Sequence, residues 1–311
     1  MMRRLLLVVV ATIATGLVSV AAGPQAQPPS FKGTTRTVAV WATVTNSQGR
    51  LVPNLNREDF GVDDDGKRQD LTVFANELQP ITVVMLLDRS GSMKPNLELE
   101  EKAAEAFVRS MAIEDKARIG SFAKYVQIDP VDFTSDHDVL FNILRNELQS
   151  DGPTPLWNAV DRGIDKLLVE QGRRVILVFT DGVDEPLNFS GKNKSLKDVM
   201  KRAEEQDVMV YAIGLAGQNG VHAGFGGRPE TQQPDEGLPK IAAATGGGYF
   251  ELTSARDLAN TFLRVADELH HQYALGFTPE KLDGKMHDIT VHLSRPDLRA
   301  RARKRYLASK S

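Results

Sequence analysis

The chain has 311 residues, enough for one large α/β domain and a smaller module. It contains no cysteine, which excludes disulfide bonds and a lipid-modified cysteine. Lysine and arginine number 38 against 41 aspartate and glutamate residues, and the resulting net charge of −3 argues against general nucleic-acid binding.

Residues 1–22 have the order of a secretory signal peptide. Two arginines precede an apolar stretch, and small residues suited to cleavage follow it, so we expect cleavage between Ala22 and Ala26. This pattern predicts a secreted or periplasmic protein, which without disulfide bonds depends on its core for stability. The alternative is an uncleaved membrane anchor over residues 5–22, a stretch near the minimum length for a membrane span.

Two β flanks are predicted on either side of a central domain. A short disordered lead at residues 23–35 precedes the first flank, residues 36–79, which contains strand patterns and a hairpin signal at Asp65-Gly66. We interpret the acidic triplet 63–65 as a solvated turn rather than a Ca²⁺ loop, because the ligand spacing of an EF-hand is absent. The second flank, residues 272–311, returns to β patterns. Because neither flank can bury a core alone, we expect the two to pair into one small β module.

Residues 80–271 alternate between strand and helix patterns, which predicts a doubly wound, mostly parallel α/β sheet with right-handed crossovers. The apolar runs 81–87 and 175–179 are rich in β-branched residues and are typical of central strands covered by helices on both faces. A loop rich in glycine, glutamine and proline, from Gly214 to Pro239, follows a later strand. We expect this loop to border the carboxyl ends of the strands and to influence the choice of partner.

Five oxygen-bearing residues follow or face the ends of these strands. They are Asp88, Ser90 and Ser92 in D-R-S-G-S, Thr154 in T-P-L, and Asp181 in F-T-D-G. Ligands of an open sheet gather at its carboxyl edge, where the strand order reverses. Asp88, Ser90 and Ser92 alternate at period two, so an extended loop would direct all three side chains to one side. All five offer only oxygen, which favours a hard divalent cation such as Mg²⁺ over Zn²⁺.

Each motif alone has a simpler interpretation. Aspartate and serine after a strand often form turns or helix caps, Asp181-Gly182 is a turn sequence, and Thr154 before Pro155 is a helix N-cap candidate. All three motifs in this order on these elements favour the metal site.

Together the three motifs resemble the metal-ion-dependent adhesion site of the von Willebrand factor type A domain, which is also found in integrin I domains. The resemblance implies a Mg²⁺ or Mn²⁺ ion, rather than Ca²⁺, held directly by some of the five residues and through water by the others. It also implies capture of a partner protein through an aspartate or glutamate carboxylate. The segments 46–60 and 273–279 resemble the flanks of bacterial secreted proteins related to von Willebrand factor A.

The sequence therefore predicts an exported, metal-dependent adhesion or protein-binding module without catalysis. We expect no nucleic-acid partner, and membrane contact only through an uncleaved N-terminal segment. A metal-dependent hydrolase is the alternative from another class, and it would need a general base beside the cation. Asp184 and Glu185 are the spare carboxylates near the motifs. A domain in which the metal only stabilises the fold is the third alternative.

Overall fold

The computed structural model describes residues 37–149, 151–185, 193–216 and 233–310. The predicted signal peptide and disordered lead lie outside these residues, as does most of the predicted loop between Gly214 and Pro239. Within the described part of the chain, no helix has the length and apolar character needed to cross a membrane.

The described residues form fourteen β-strands and six α-helices. The strands are β1 (Val38–Asn46), β2 (Phe60–Asp64), β3 (Lys67–Gln69), β4 (Leu71–Ala75), β5 (Ile81–Asp88), β6 (Lys116–Phe122), β7 (Val126–Thr134), β8 (Arg173–Thr180), β9 (Val208–Leu215), β10 (Tyr249–Leu252), β11 (Tyr273–Phe277), β12 (Met286–Leu293), β13 (Leu298–Arg301) and β14 (Arg305–Leu307). The helices are α1 (Leu97–Ser110), α2 (His137–Asn146), α3 (Leu156–Leu167), α4 (Leu196–Glu205), α5 (Gly237–Thr245) and α6 (Leu258–His270).

A six-stranded sheet forms the centre of the molecule, in the spatial order β10-β9-β8-β5-β6-β7. Its strands are parallel except for β7, which runs antiparallel at one edge. The chain passes from β5 to β6 on one side and later returns to β8 on the other side. The strand order therefore reverses beside β5, and the loops that follow β5 and β8 diverge there.

Helices cover both faces of this sheet: α1, α2 and α6 pack on one face, and α3, α4 and α5 pack on the other. Every residue of β5 is buried, and its side chains alternate between the two layers. Met85 and Leu87 pack into the first layer, and Val84 and Leu86 into the second. Complete burial of one such side chain contributes about 1.5–3 kcal/mol. The predicted doubly wound α/β sheet is confirmed.

The two flanks form a β module of two antiparallel sheets, ordered β13-β1-β11-β4 and β14-β12-β2-β3. Each sheet combines strands from before and after the central domain, since β1 pairs with β11 and β13, and β2 pairs with β12. The sheets share one apolar core that includes Val40, Phe60 and Leu275. The predicted pairing of the two flanks is confirmed.

The hairpin between β2 and β3 turns at Asp65-Gly66, as predicted. Asp65 has φ +48° and Gly66 has φ +77°, and a two-residue turn with both values positive suits the twist of the flanking strands. Asp64 differs from the prediction of a solvated turn. It is buried, and its carboxylate lies 2.9 Å from His287 Nδ1 and 2.9 Å from the Tyr306 hydroxyl.

Both ends of the loop predicted from Gly214 to Pro239 belong to the neighbouring strand and helix. Gly214 and Leu215 are the last residues of β9, and α5 begins at Gly237. Asp235 fixes the approach to α5, because its side chain accepts hydrogen bonds from the main chain of Gly237 at 2.7 Å and of Asp184 at 3.0 Å. This end of the loop is therefore fastened to the segment that follows β8.

Candidate metal-binding site

Asp88 is the last residue of β5 and is completely buried. The parallel register pairs Leu87 with Phe179, so Asp88 lies beside Thr180 at the end of β8. The Thr180 hydroxyl donates a hydrogen bond to Asp88 Oδ2, and the main-chain N–H of Ser90 donates to Oδ1 at 2.9 Å. The sequence motifs do not single out Thr180, although it directly precedes Asp181. Its role follows from the register of β5 and β8.

Ser90, Ser92 and Asp181 continue this cluster. The Ser92 hydroxyl donates to Asp181 Oδ1 at 2.7 Å, and the hydroxyl oxygens of Ser90 and Ser92 are 3.1 Å apart. Ser90 has extended backbone angles, φ −64° and ψ 170°, but Ser92 lies in the short 3₁₀ helix Gly91–Asn96. The predicted extended loop therefore ends at Ser90, and the turn brings Ser92 to the same cluster.

Exposure differs sharply across the cluster. Asp88, Ser90 and Asp181 are buried, whereas Ser92 is exposed. The cluster therefore reaches solvent at Ser92. A group carried by another molecule can approach the site from this side.

Thr154 lies in the loop before α3 and is 5% exposed. Its carbonyl oxygen accepts hydrogen bonds from the main chain of Leu156 at 2.7 Å and of Glu185 at 2.8 Å. Thr154 is thus tied to the segment that begins with Asp181. Among the described residues, its hydroxyl makes no hydrogen bond with the other four predicted ligands, so its side chain stands on a neighbouring loop outside the hydrogen-bonded cluster.

The loop that carries Thr154 is fastened to the D-R-S-G-S segment through the main chain. The N–H of Asp151 donates to the Arg89 carbonyl at 2.8 Å, and the N–H of Gly91 donates to the Gly152 carbonyl at 3.2 Å. Gly152 has φ +150°, and a Cβ there would lie 2.6 Å from the main-chain nitrogen of Lys124. Glycine is required at this close approach.

A buried ion pair, Arg89 with Glu100, joins the D-R-S-G-S segment to α1. Arg89 Nη1 lies 3.1 Å from Glu100 Oε2, and Arg89 Nε donates to the Gln149 carbonyl at 3.1 Å. Glu100 is completely buried, and its Oε1 has no hydrogen-bond partner among the described residues. The motifs do not reveal Glu100, but its position three residues after Leu97 on the apolar side of α1 is a signal of burial.

Burial makes the carboxylates of this region hard to ionise. It raises the pKa of Asp88 to about 6, although hydrogen bonds from Ser90 and Thr180 act in the opposite direction. Burial also raises the pKa of Asp181, against the hydrogen bond from Ser92. A cation beside these two groups would favour their charged forms. Two carboxylates and neighbouring hydroxyl oxygens are a donor set that fits Mg²⁺ or Mn²⁺.

The two spare carboxylates differ in their surroundings. Asp184 Oδ1 accepts a hydrogen bond from the main chain of Trp157 at 3.1 Å, in the first turn of α3, whose N-cap residue Pro155 provides no side-chain cap. Asp184 therefore caps this helix from another loop. Glu185 is exposed. Neither side chain is hydrogen-bonded to the Asp88 cluster within the described residues.

A second group with metal-ligand chemistry lies in the β module. Ligand atoms of Asp64, Asp65 and His287 all lie within 4.8 Å of one another. His287 Nδ1 is 2.9 Å from Asp64 Oδ1, and its Nε2 is 3.2 Å from Asp283 Oδ1. These hydrogen bonds occupy both ring nitrogens. The geometry therefore favours a buried hydrogen-bonded cluster over a metal site.

Comparisons with known proteins agree with the fold of the central domain. A profile of the von Willebrand factor type A domain matches residues 82–264, more than half of the chain. A von Willebrand factor type A structure from Catenulispora acidiphila has a TM-score of 0.50 at 10% identity, covering 80% of this chain and 73% of that one. The vWF domain of the type V pili tip protein Mfa5 from Porphyromonas gingivalis has a TM-score of 0.46 at 13% identity, covering 62% and 95%. At 10% identity, the likeness to the Catenulispora acidiphila structure concerns the fold alone. No curated protein matches by sequence.

Proposed function

This chain belongs to the von Willebrand factor type A domain family, and from that premise we propose that it is a protein-binding or adhesion module that holds a divalent cation. The observation that carries the proposal is the hydrogen-bonded cluster of Asp88, Ser90, Ser92 and Asp181. It lies where the strand order of the central sheet reverses, which is the position where open α/β sheets bind their ligands.

In this proposal Asp88 and Asp181 supply two negative charges that match a Mg²⁺ or Mn²⁺ ion. Ser90 and Ser92 supply neutral oxygens, and Thr154 contributes from the neighbouring loop, directly or through water. The cation, when bound, offers a coordination position to an acidic oxygen of a partner protein. Exposure at Ser92 supports approach of the partner from that side.

The surrounding residues hold the ligands in place before any partner arrives. Thr180 and the main chain of Ser90 fix the Asp88 carboxylate through hydrogen bonds. The main-chain bond between Glu185 and Thr154 keeps the loops that follow β8 and precede α3 together. Such preorganisation reduces the ordering cost of binding.

Binding is favoured over hydrolysis by the placement of the nearby carboxylates. A general base has to face the reacting group beside the cation. Asp184 already accepts the main-chain N–H of Trp157 at the start of α3, and Glu185 is exposed. The proposal therefore assigns no catalytic residue.

Export is a separate part of the proposal and rests on the sequence of residues 1–22, with their basic, apolar and small-residue segments. An exported protein without cysteine has no disulfide bonds to stabilise it. Buried apolar residues supply the stability instead, both in the central domain and in the β module.

Affinity capture from an extract of the host envelope tests the proposed function. The purified protein is immobilised, and capture is compared in Mg²⁺ and in EDTA. Asp88→Asn serves as the site variant, and Asp70→Asn, at an exposed position in the β module, serves as the matched control. In Mg²⁺, we expect the wild type and the control each to capture a partner protein. In EDTA, we expect neither of them to capture it. Equal capture by Asp88→Asn would contradict the proposal.

A further inference from the structure

Three polar or charged side chains of the central domain are buried towards the base of its sheet, away from the Asp88 end. They are Arg173 at the start of β8, Tyr211 in β9 and Glu268 in the last turn of α6. Each is at most 3% exposed. Burial of such groups is unfavourable unless they find hydrogen-bond partners. The stability of the central domain therefore depends on what these three side chains contact.

Arg301 of β13 reaches from the β module to two of these groups. Its Nη2 donates hydrogen bonds to the Glu268 carboxylate and, at 3.1 Å, to the Tyr211 hydroxyl. The Arg301 side chain is 35% exposed, and that of Glu268 is 3% exposed. The other cation near Glu268 is Arg264 on the same helix, with Nε 3.6 Å from Glu268 Oε1 and a side chain that is 56% exposed. Arg301 is therefore the more buried of the two cations that pair with Glu268.

Gln272, the first residue of the C-terminal flank, makes a second link and is 1% exposed. Its Nε2 donates to the Thr43 hydroxyl of β1 at 2.7 Å and to the Tyr211 hydroxyl at 3.1 Å. Its Oε1 accepts a hydrogen bond from Arg173. The Arg173 guanidinium also lies against β1, 5.0 Å from the centroid of the Trp41 ring. The Tyr211 hydroxyl and Arg173 thus each contact groups of the β module.

The central domain alone satisfies these side chains only in part. Within it, Arg173 donates to the Leu269 carbonyl, and the Tyr211 hydroxyl lies 3.4 Å from Glu268 Oε2. Without the β module, Glu268 would lose Arg301. Breaking a buried ion pair by removing one partner is strongly destabilising, because the remaining charge is left without compensation. The central domain therefore requires the β module at this position.

We propose that Arg301 and Gln272 form a clamp that joins the β module and the central domain into one cooperative unit, which unfolds in a single transition. Separate motion and separate unfolding are the usual behaviour of two regions with distinct cores. The clamp is supported beside β9 by Arg303, whose Nη1 lies 2.7 Å from Asp207 Oδ1. A ligand bound at the carboxyl edge of the central sheet then stabilises the β module as well, because it binds the folded unit as a whole.

The chain contains two tryptophans, and each reports on one region. Trp41 lies in β1 of the β module, and Trp157 lies in α3 of the central domain. Urea unfolding of the full chain is followed by fluorescence in Trp157→Phe, which retains Trp41, and in Trp41→Phe, which retains Trp157. In each protein we expect fluorescence and far-UV circular dichroism to give the same midpoint. Measurement in EDTA makes the result independent of the proposed metal site.

A second test removes the clamp. Arg301→Gln should lower the urea midpoint equally in the two single-tryptophan proteins and lower the Tm by several degrees. Arg299→Gln is the matched control, because Arg299 is exposed on the same strand and forms no ion pair within the described part of the chain. We expect it to leave both midpoints nearly unchanged. Arg301→Gln combined with Glu268→Gln should lower the midpoint by less than the sum of the single changes.

The first test does not depend on the folding of Arg301→Gln. Trp41 fluorescence that changes at lower urea than the circular dichroism of the same protein would overturn the proposal, because the β module would then unfold first. Equal midpoints for Arg301→Gln and Arg299→Gln would also overturn it. A shift in Arg301→Gln that is confined to the Trp41 transition would do so as well.

Discussion

The Ser92 hydroxyl lies 2.7 Å from Asp181 Oδ1, although 89 positions separate the two residues in the sequence. The bond connects the loop that follows β5 to the loop that follows β8. It places an exposed neutral oxygen beside a buried carboxylate, at the point where the cluster reaches solvent. This pair defines the entrance of the proposed metal site.

The first prediction concerns the neutral ligands. Ser92→Ala and Thr154→Ala each remove one uncharged oxygen, so each should weaken Mg²⁺ binding roughly tenfold and leave the fold intact. Ser92→Ala also removes the hydrogen bond to Asp181. Isothermal titration calorimetry measures the affinities, and circular dichroism checks the fold. Unchanged Mg²⁺ affinity in Thr154→Ala would remove Thr154 from the proposed ligand set.

The second prediction concerns the stability of the metal-free protein. Because burial raises the pKa of Asp88 from 3.8 to about 6, the folded state binds this proton more tightly than the unfolded chain. Stability in EDTA should therefore fall as pH rises from about 4 to about 6. Asp88→Asn removes the part of this dependence that comes from Asp88, and it should stabilise the metal-free protein at pH 8 by on the order of 3 kcal/mol.

Urea denaturation in EDTA across this pH range measures the effect of Asp88. Asp70→Asn is the control, because Asp70 is exposed in the β module. The prediction is wrong if Asp88→Asn is less stable than the wild type in EDTA at pH 8. The buried Asp88 carboxylate would then not destabilise the metal-free protein.

The parts of this site that depend on neighbouring residues are predictable from the sequence, and the parts that depend on residues distant in the sequence are not. The strands that end at Asp88 and Thr180 are predictable, because continuous apolar runs rich in β-branched residues are typical of buried parallel strands. The backbone is extended at Ser90, as predicted from the alternation at period two. It is not extended at Ser92, because Gly91–Asn96 is a 3₁₀ helix. Thr180 depends on the register between β5 and β8, which a single sequence does not specify.

The buried polar groups are even less accessible to sequence reasoning. Glu100 and His287 have charged or titratable side chains, which are usually exposed, and their partners lie 11 and 223 positions away in the sequence. The pairing of the two flanks was predictable only in outline. That the flanks pair is predictable, because neither flank can bury a core alone. The strand order β13-β1-β11-β4 is not predictable in this way, because it is set by side-chain packing.

The third prediction concerns the buried ion pair beneath the D-R-S-G-S segment. Glu100→Ala leaves the Arg89 guanidinium buried without a carboxylate, which should cost about 3–5 kcal/mol in the free energy of unfolding. Glu100→Gln keeps an acceptor for Arg89 and should cost less. Urea denaturation compares the two variants. Equal stability of Glu100→Ala and the wild type would show that the pair does not hold this segment.

The fourth prediction concerns His287 in the β module. Burial disfavours its charged form, but hydrogen bonds to Asp64 and Asp283 outweigh this effect and raise its pKa above 6.5. The stabilisation is therefore fully present below about pH 6.5 and is lost as pH rises through the raised pKa. In saturating Mg²⁺, the stability difference between wild type and His287→Gln should shrink with rising pH. A difference that is constant between pH 5.5 and 9 would contradict this assignment.

The central claim is that Asp88 and its neighbours hold a divalent cation, and the most direct measurement is calorimetric titration of Mg²⁺ into metal-free protein. We compare the wild type with Asp88→Asn and with the exposed control Asp70→Asn at pH 8, where Asp88 is ionised. The account predicts one saturable site in the wild type and the control, and affinity lower by roughly a hundredfold or more in Asp88→Asn. Equal Mg²⁺ affinity in all three proteins, or no binding to the wild type, would contradict it.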